Sequence, residues 1–343
     1  MTARVRSPKA TIRDVAAHAG VGIATVSRAL NDDPEIAPAT RDRVLEACEA
    51  LGFRRSSLAR GLKVGATDNV GVAIMSRHAP VILNPYYAEV LGGIEEVLED
   101  ANKHLLLSSL KRRDDLLDLA SEGRVDGLLV VGCDVAPEIL ARLRDVDLPV
   151  VLVDNAFDGI ASVVVDHAGA GRQAARHLLE GGGTRFAFVT ENLENPNFRA
   201  RLEGFRSELL EAGASLESHA IAAGGDSWDG GAVAMRRVLA AMPAPPDAVF
   251  AANDPAAMSA AKALATHGLR VPDDVALVGV DDIHLAARHA PPLSTIRFDK
   301  RGLGATGARH LLDRLAGREV PRLSVIGTEL VVRATSRGDR VAR

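Results

Sequence analysis

Beyond residue 69 the chain alternates short apolar runs with amphipathic stretches, and this alternation leaves few folds open. Apolar runs fall at 70–75, 105–109, 127–131, 150–153, 162–165, 186–189, 248–251 and 275–280. They are short and rich in Val, Leu and Ile, which predicts strands buried on both faces. Between most of them the apolar residues recur at helical spacing, as over 87–102, 171–179, 199–212, 231–241 and 255–267. Strands alternating with helices build parallel sheets with helices on both faces. So many strands predict two doubly wound lobes, with a cleft at the strand carboxyl ends where such sheets bind ligands.

Residues 11–52 have a different texture and predict an all-α head of three short helices. Thr11 followed by Asp14 has capping-box spacing, and Ile12, Val15, Ala16 and Ala19 then recur with helical period. Gly20-Val21-Gly22 supplies the tight turn into a second helix over 23–31, with Val26 and Leu30 inward. The third helix starts at Pro38 and runs to residue 51, with Val44, Leu45, Ala47 and Cys48 inward. The second helix leaves Ile23, Ala24, Thr25, Ser27 and Arg28 facing outward or flanking the seam. Small, polar and cationic side chains at a helix N-terminus suit entry into a DNA major groove, with Arg28 the candidate for a guanine contact. The same pattern also fits a three-helix bundle with solvated polar faces. Residues 53–67 form a basic connector with too few apolar residues for a helix stable by itself.

Charge separates the same two regions. Residues 1–65 carry eleven Lys/Arg against seven Asp/Glu, a balance of +4, whereas the whole 343-residue chain carries −4 and the remainder therefore −8. A basic head on an acidic body suits one end docking on phosphates. No apolar run approaches the length of a bilayer span. The basic start has no apolar stretch behind it, and the two cysteines are far apart, so a cytoplasmic protein without membrane attachment is expected.

The stretches TIRDVAAHAGVGIATVSRALN, TRDRVLEACEALGF and LARGLK resemble the head and hinge of the LacI family of transcriptional regulators. NPYYAEVLGGIEEVLE, VDGLLVVG, SVVVDHAGAG, RARLEGFRSEL, FAANDPAAMSAAKAL, GLRVPDDVALVGVDD and PPLSTIR continue the resemblance in order through the core. It implies a helix-turn-helix head over 1–55, a hinge helix and linker over 56–67, and a core over 68–343 with two lobes of periplasmic-binding-protein type. The lobes are expected at about 68–165 with 294–325, and 166–293 with 326–340. The resemblance further implies an operator-binding homodimer, in the usual case a repressor, controlled allosterically by a small molecule, commonly a sugar or sugar derivative. Ile23, Ala24 and Arg28 would read bases, Thr25 and Ser27 would lie near phosphates, and Thr11 and Asn31 would complete the DNA-binding set. Ala59 and Leu62 would meet the minor groove, with Leu62 as a wedge between base pairs and Arg60 and Lys63 on phosphates. In the core, Tyr86, Tyr87, Asp154, Arg199, Asn253 and Asp281 match the effector pocket, with Asn195, Phe198 and Trp228 as further candidates. Carboxylates, amide and guanidinium would bind polar groups of the ligand, and the aromatics would form an apolar wall. No cofactor, metal or enzymatic step is implied.

This chain departs from the family at Arg55 and Ser56, where a proline and an asparagine are usual, and at Ala37, where a serine cap is usual. Two other readings fit less of the sequence. A solute-binding protein would share the core but carry a secretory signal in place of the basic head. An oxidoreductase would rest on Gly169-Ala170-Gly171-Arg172-Gln173-Ala174 alone, where Asp166 and His167 intrude on a phosphate approach. A helix start rich in small residues explains that stretch better.

Overall fold

The computed structural model describes residues 10–53, 67–75, 83–110 and 114–336. The chain divides into two compact units, 1–67 and 68–343. Ala59, Arg60, Leu62 and Lys63 lie outside the described residues.

In the first unit α1 (Ile12–Ala19), α2 (Ile23–Ala29) and α3 (Pro38–Ala50) pack around Val15, Val26 and Val44, which are fully buried. Thr11 and Asp14 form the expected capping box: Asp14 Oδ2 accepts from the Thr11 amide at 2.7 Å, and the Asp14 amide donates to Thr11 Oγ1. Gly20 ends α1 at φ +66°, a left-handed conformation that favours glycine. Helix α2 stops at Ala29, two residues short of the expected end, with Leu30 as its C-cap. Leu45 is half exposed, not inward. With Val44 and Ala47 holding the buried line of α3, Leu45 falls on its flank.

The second unit holds two six-stranded sheets. The first comprises β1 (Asn69–Met75), β2 (His104–Leu110), β3 (Gly127–Val131), β4 (Val150–Val153), β5 (Ala161–Val165) and β11 (Leu323–Ile326), all parallel, in the order β2-β1-β3-β4-β5-β11. Alternate residues face opposite layers. Leu129, Val131, Val151 and Val153 pack with Val90, Ile94 and Leu98 of α4 (Pro85–Asp100) and Leu303 and Leu311 of α11 (Lys300–Leu315). Leu128, Val130, Val150 and Leu152 pack with Leu116 of α5 (Asp114–Ser121) and Ile139, Leu140 and Leu143 of α6 (Pro137–Arg144). Burial on both faces explains the unbroken apolar strands.

The second sheet repeats the plan. Its strands are β6 (Phe186–Thr190), β7 (Ile221–Ala223), β8 (Ala248–Ala251), β9 (Ala276–Val280), β10 (Ser294–Arg297) and β12 (Glu329–Val331), in the order β7-β6-β8-β9-β10-β12. Only the short edge strand β12 runs antiparallel. The helices of this lobe are α7 (His167–Glu180), α8 (Pro196–Glu211), α9 (Gly230–Ala241) and α10 (Asp254–Thr266). Phe205 of α8 stacks near Phe186 and Phe250 in the layer beneath.

The chain was expected to return to the first lobe at residue 294; it does so after Arg297. Ser294 and Thr295 pair with β9 and bury their hydroxyls, Thr295 on Asp254 at 2.5 Å and Ser294 on Ser336 at 2.7 Å. Such a strand is held by distant partners, and its own sequence does not mark it. The chain therefore changes lobes between β5 and α7, between β10 and α11, and between β11 and β12.

In both lobes neighbouring helices meet backbone to backbone at glycines. A Cβ on Gly204 of α8 would lie 2.0 Å from the Ala168 carbonyl oxygen of α7, and one on Gly304 of α11 would lie 2.1 Å from that of Val90 in α4. No side chain fits such a gap without moving a helix. Gly204→Ala should therefore lower folding stability by about 1–3 kcal/mol, read as a lower urea midpoint at unchanged slope. An unchanged midpoint would show that α7 and α8 can separate at no cost.

Candidate functional site

In the head, Ile23, Ala24, Arg28 and Asn31 are exposed and Thr25 and Ser27 partly so, which places the expected base-reading set on one accessible helix and its exit. Ile23 is 47% exposed, a large apolar side chain left in solvent at a helix start. Thr11 is occupied as the cap of α1. Arg28 is engaged by its own chain: its Nε donates to Asp33 at 2.8 Å and a terminal nitrogen donates to Glu35. These partners raise the guanidinium further above its ordinary range. A base contact by Arg28 thus requires exchange of exposed intramolecular partners, which such pairs permit at little cost.

In the core, each lobe has the strand order 2-1-3-4-5, and the residues at the strand carboxyl ends converge on one cleft, as this topology provides. From the first lobe come Tyr86 and Tyr87 at the start of α4, Cys133 and Asp134 after β3, and Asp154 after β4. The second lobe contributes Asn195, Asn197, Phe198 and Arg201 after β6, Asn253 after β8 and Asp281 after β9. Asn195 and Asn253 also cap α8 and α10, accepting from Phe198 and Ala256 amides at 3.1 and 2.8 Å. Tyr86 and Tyr87 meet edge to face at 5.1 Å between centroids.

A buried polar chain crosses the cleft. The Tyr86 hydroxyl donates to Asp154 Oδ2 at 2.6 Å, and His167 Nε2 lies 2.9 Å from Asp154 Oδ1. Arg201 Nε donates to His167 Nδ1 at 3.2 Å, which places the imidazole proton on Nε2, and Arg201 also reaches Asp281 Oδ1 at 3.2 Å. Asn197 Nδ2 donates to the Asp154 carbonyl at 3.2 Å, and Cys133 Sγ to Asn195 Oδ1 at 3.3 Å. Lys300, at the start of α11, donates to the Asp281 carbonyl from the first lobe. Asp281 and Asp282 hold positive φ values of 108° and 47°, so this turn is strained where Lys300 grips it.

The electrostatics follow from burial. It would raise the Asp154 carboxyl, but His167 and Tyr86 bonded to it, with Arg201 nearby, hold it below the usual range. Burial raises the Tyr86 phenol well above its ordinary value, and Asp154 adds to that. Burial also raises Asp281, against the opposing pull of Arg201 and Lys300. Glu191, just beyond β6, is pushed up to about 7, first by burial and then by Asp281 and Asp226.

Two of the expected pocket residues lie elsewhere. Arg199 is exposed, and Arg201 stands in the cleft instead, 3% exposed. Phe198, Arg201, Leu202 and Phe205 share the inward face of α8, a period that excludes position 199. Trp228 is 45% exposed and outside the cleft lining. His167, Arg201, Asn197 and Lys300 were not anticipated as site residues; the inward spacing on α8 would have found Arg201. Gly169 and Gly171 serve helix contact, with the Gly169 amide donating to the cap Asp166 at 2.8 Å.

A broader groove of about 860 Å³ runs beside β11, lined by Arg314, Arg318 and Arg322 among others. It lacks convergent buried polar groups, whereas the interlobe cleft has them in a cavity of about 90 Å³. The cleft's chemistry makes it the candidate site despite its smaller size. A typical ligand pocket has about 300 Å³ or more, so a ligand of that size must part these lobes.

The raised Glu191 carboxyl has a testable sign. Its folded pKa of about 7 exceeds the ordinary 4.5, so the folded state holds the proton more tightly. The group is neutral to stability below the unfolded value and opposes folding increasingly as pH rises towards 7. Glu191→Gln should therefore raise stability at pH 8, by on the order of 2–3 kcal/mol, and leave it nearly unchanged at pH 4. Equal effects at both pH values, read by thermal melts, would contradict the burial of this carboxyl.

Comparison with known proteins agrees with this architecture. Residues 11–56 match the model for bacterial regulatory proteins of the lacI family, and residues 175–336 match a periplasmic binding protein-like domain. The HTH-type transcriptional repressor PurR of Photobacterium profundum is 34% identical over 332 residues, covering 94% of this chain and 98% of the relative. A lac repressor dimer bound to operator and the anti-inducer ONPF superposes with a TM-score of 0.85 at 26% identity, covering 96% of this chain and 99% of that one. The transcriptional regulator CelR in complex with cellobiose gives a TM-score of 0.72 at 31% identity, covering 95% of this chain and 99% of that one. The chain belongs to the lacI family of bacterial regulatory proteins, whose helix-turn-helix heads bind DNA and whose two-lobed cores are of periplasmic-binding-protein type.

Proposed function

We propose that this protein is a cytoplasmic transcriptional repressor that binds a pseudo-palindromic operator as a homodimer and answers to a small polar effector held between its core lobes. The observation that carries this reading is the polar chain from Asp154 through His167 and Arg201 to Asp281, which joins the two lobes at their strand carboxyl ends. Carboxylates, amides and a guanidinium beside Tyr86, Tyr87 and Phe198 suit a sugar or sugar derivative: polar groups for the hydroxyls, rings for the apolar face. CelR, a structural neighbour, has been solved with cellobiose. No enzymatic step is part of this reading.

An effector that inserts between Asp154 and Arg201 substitutes its own bonds for theirs and favours a different lobe arrangement. It shifts DNA affinity only by as much as it prefers one arrangement. In the head, Ile23 and Ala24 supply apolar contacts of the kind that thymine methyls accept, and Arg28 a guanine contact. Two-fold pairing of the protein matches a two-fold operator. Ala59 and Leu62 belong in this proposal as minor-groove contacts and Arg60 and Lys63 as phosphate contacts.

Operators selected from a random-sequence pool allow the test. Arg28→Ala should weaken binding to the selected site about ten- to hundredfold, and relax the preference at one base pair. Unchanged sequence preference would remove Arg28 from the reading set. Asp281→Ala should abolish the change in operator affinity that a sugar panel produces with the wild type, and a normal response would remove Asp281 from the effector site.

A further inference from the structure

Glu191 takes no part in the chain that closes the cleft, yet it is built into the same strand ends. It follows β6 directly, and its carbonyl accepts from the Gly225 amide at 2.8 Å. Its side chain runs against Gly230, where an added Cβ would lie 2.9 Å from Glu191 Cγ. Asn253 commits its Oδ1 to the Ala256 amide, which turns its amino group toward the Glu191 carboxyl as a donor. The other carboxyl oxygen, Oε2, is buried and has no hydrogen-bond partner. A buried acceptor left without a donor costs more than the bond would have contributed, so such a group calls for an explanation. Its neighbours supply one, because Asn253 and Asp281 both line the cleft.

We infer that Glu191 is a further effector contact, whose unpartnered oxygen receives a hydrogen bond from an amine on a polyhydroxylated ring. The inference rests on the effector reading above and narrows its ligand class. The amine follows from charge. The acids that reach Glu191, Asp281 and Asp226, add negative potential around it, and the Arg201 guanidinium is already bonded to Asp281. A ligand ammonium relieves that accumulation, whereas a hydroxyl satisfies only the hydrogen bond.

Calorimetric titration of the full chain at pH 7, where the amines are mostly protonated, with glucose, galactose, mannose and their 2-amino analogues tests this on wild type, Glu191→Gln and Glu191→Leu. The wild type should bind at least one amino sugar about tenfold more tightly than its parent sugar, and Glu191→Gln, which keeps the shape and removes the charge, should erase that preference. Glu191→Leu should weaken both members of the pair. An amino sugar that binds wild type and both variants alike would overturn this inference and leave the effector reading standing, as would a parent sugar bound as tightly as its amino analogue. A wild type that binds none of the six would overturn the sugar-type effector and this inference together.

Discussion

Two carboxylates, an imidazole and a guanidinium share one buried seam between the core lobes, and the rest of the structure serves to bring them there. Buried ions are costly unless each finds a partner. Here the partners come from opposite lobes: Asp154 belongs to the first sheet, His167, Arg201 and Asp281 to the second. The bonds that satisfy the charges are thus the bonds that hold the cleft in this arrangement. A molecule that offers Asp154 or Arg201 better partners than the opposite lobe provides can change how the lobes meet.

The scaffold explains why these groups are aligned. Each sheet is buried on both faces, so its strands are rigid and their carboxyl ends are fixed platforms. His167 opens α7 and Arg201 sits on α8, and the two helices touch through Gly171 and Gly204 with no side chain between them. Close backbone packing sets the distance from His167 to Arg201 more tightly than side-chain packing would. In the first lobe, Gly93 and Gly304 do the same for α4 and α11, which carry Tyr86 and Lys300. Lys300 reaches the Asp281 carbonyl, so the strained turn that presents the carboxylate is gripped from the opposite lobe.

Much of the fold was legible because burial on both faces writes itself into sequence. Runs such as 127–131, 150–153 and 248–251 match their strands to the residue. The capping box at Thr11 and Asp14 was equally plain, being local chemistry. What escaped was whatever depends on distant partners. Ser294 and Thr295 form a buried strand because Ser294 accepts from the Ser336 hydroxyl and Thr295 donates to Asp254. Residues 323–326 and 329–331 are short edge strands with exposed positions and no continuous apolar signal. In the cleft, Asp154, Asn253 and Asp281 are residues that motifs already single out, whereas Arg201 shows itself by helical phase, with Arg199 exposed two positions earlier. His167 was set aside as an intrusion into a phosphate loop; its role appears only once Asp154 and Arg201 are brought to either side of it.

Reciprocal linkage is the most direct test of the central claim, that one ligand arrangement in the core and DNA grip in the head are coupled. Operator affinity is measured with and without saturating effector, and effector affinity is measured on free and operator-bound protein. Both ratios should differ from one and equal each other, as coupling between two sites demands. An effector that binds the free and operator-bound protein with the same affinity would contradict that coupling.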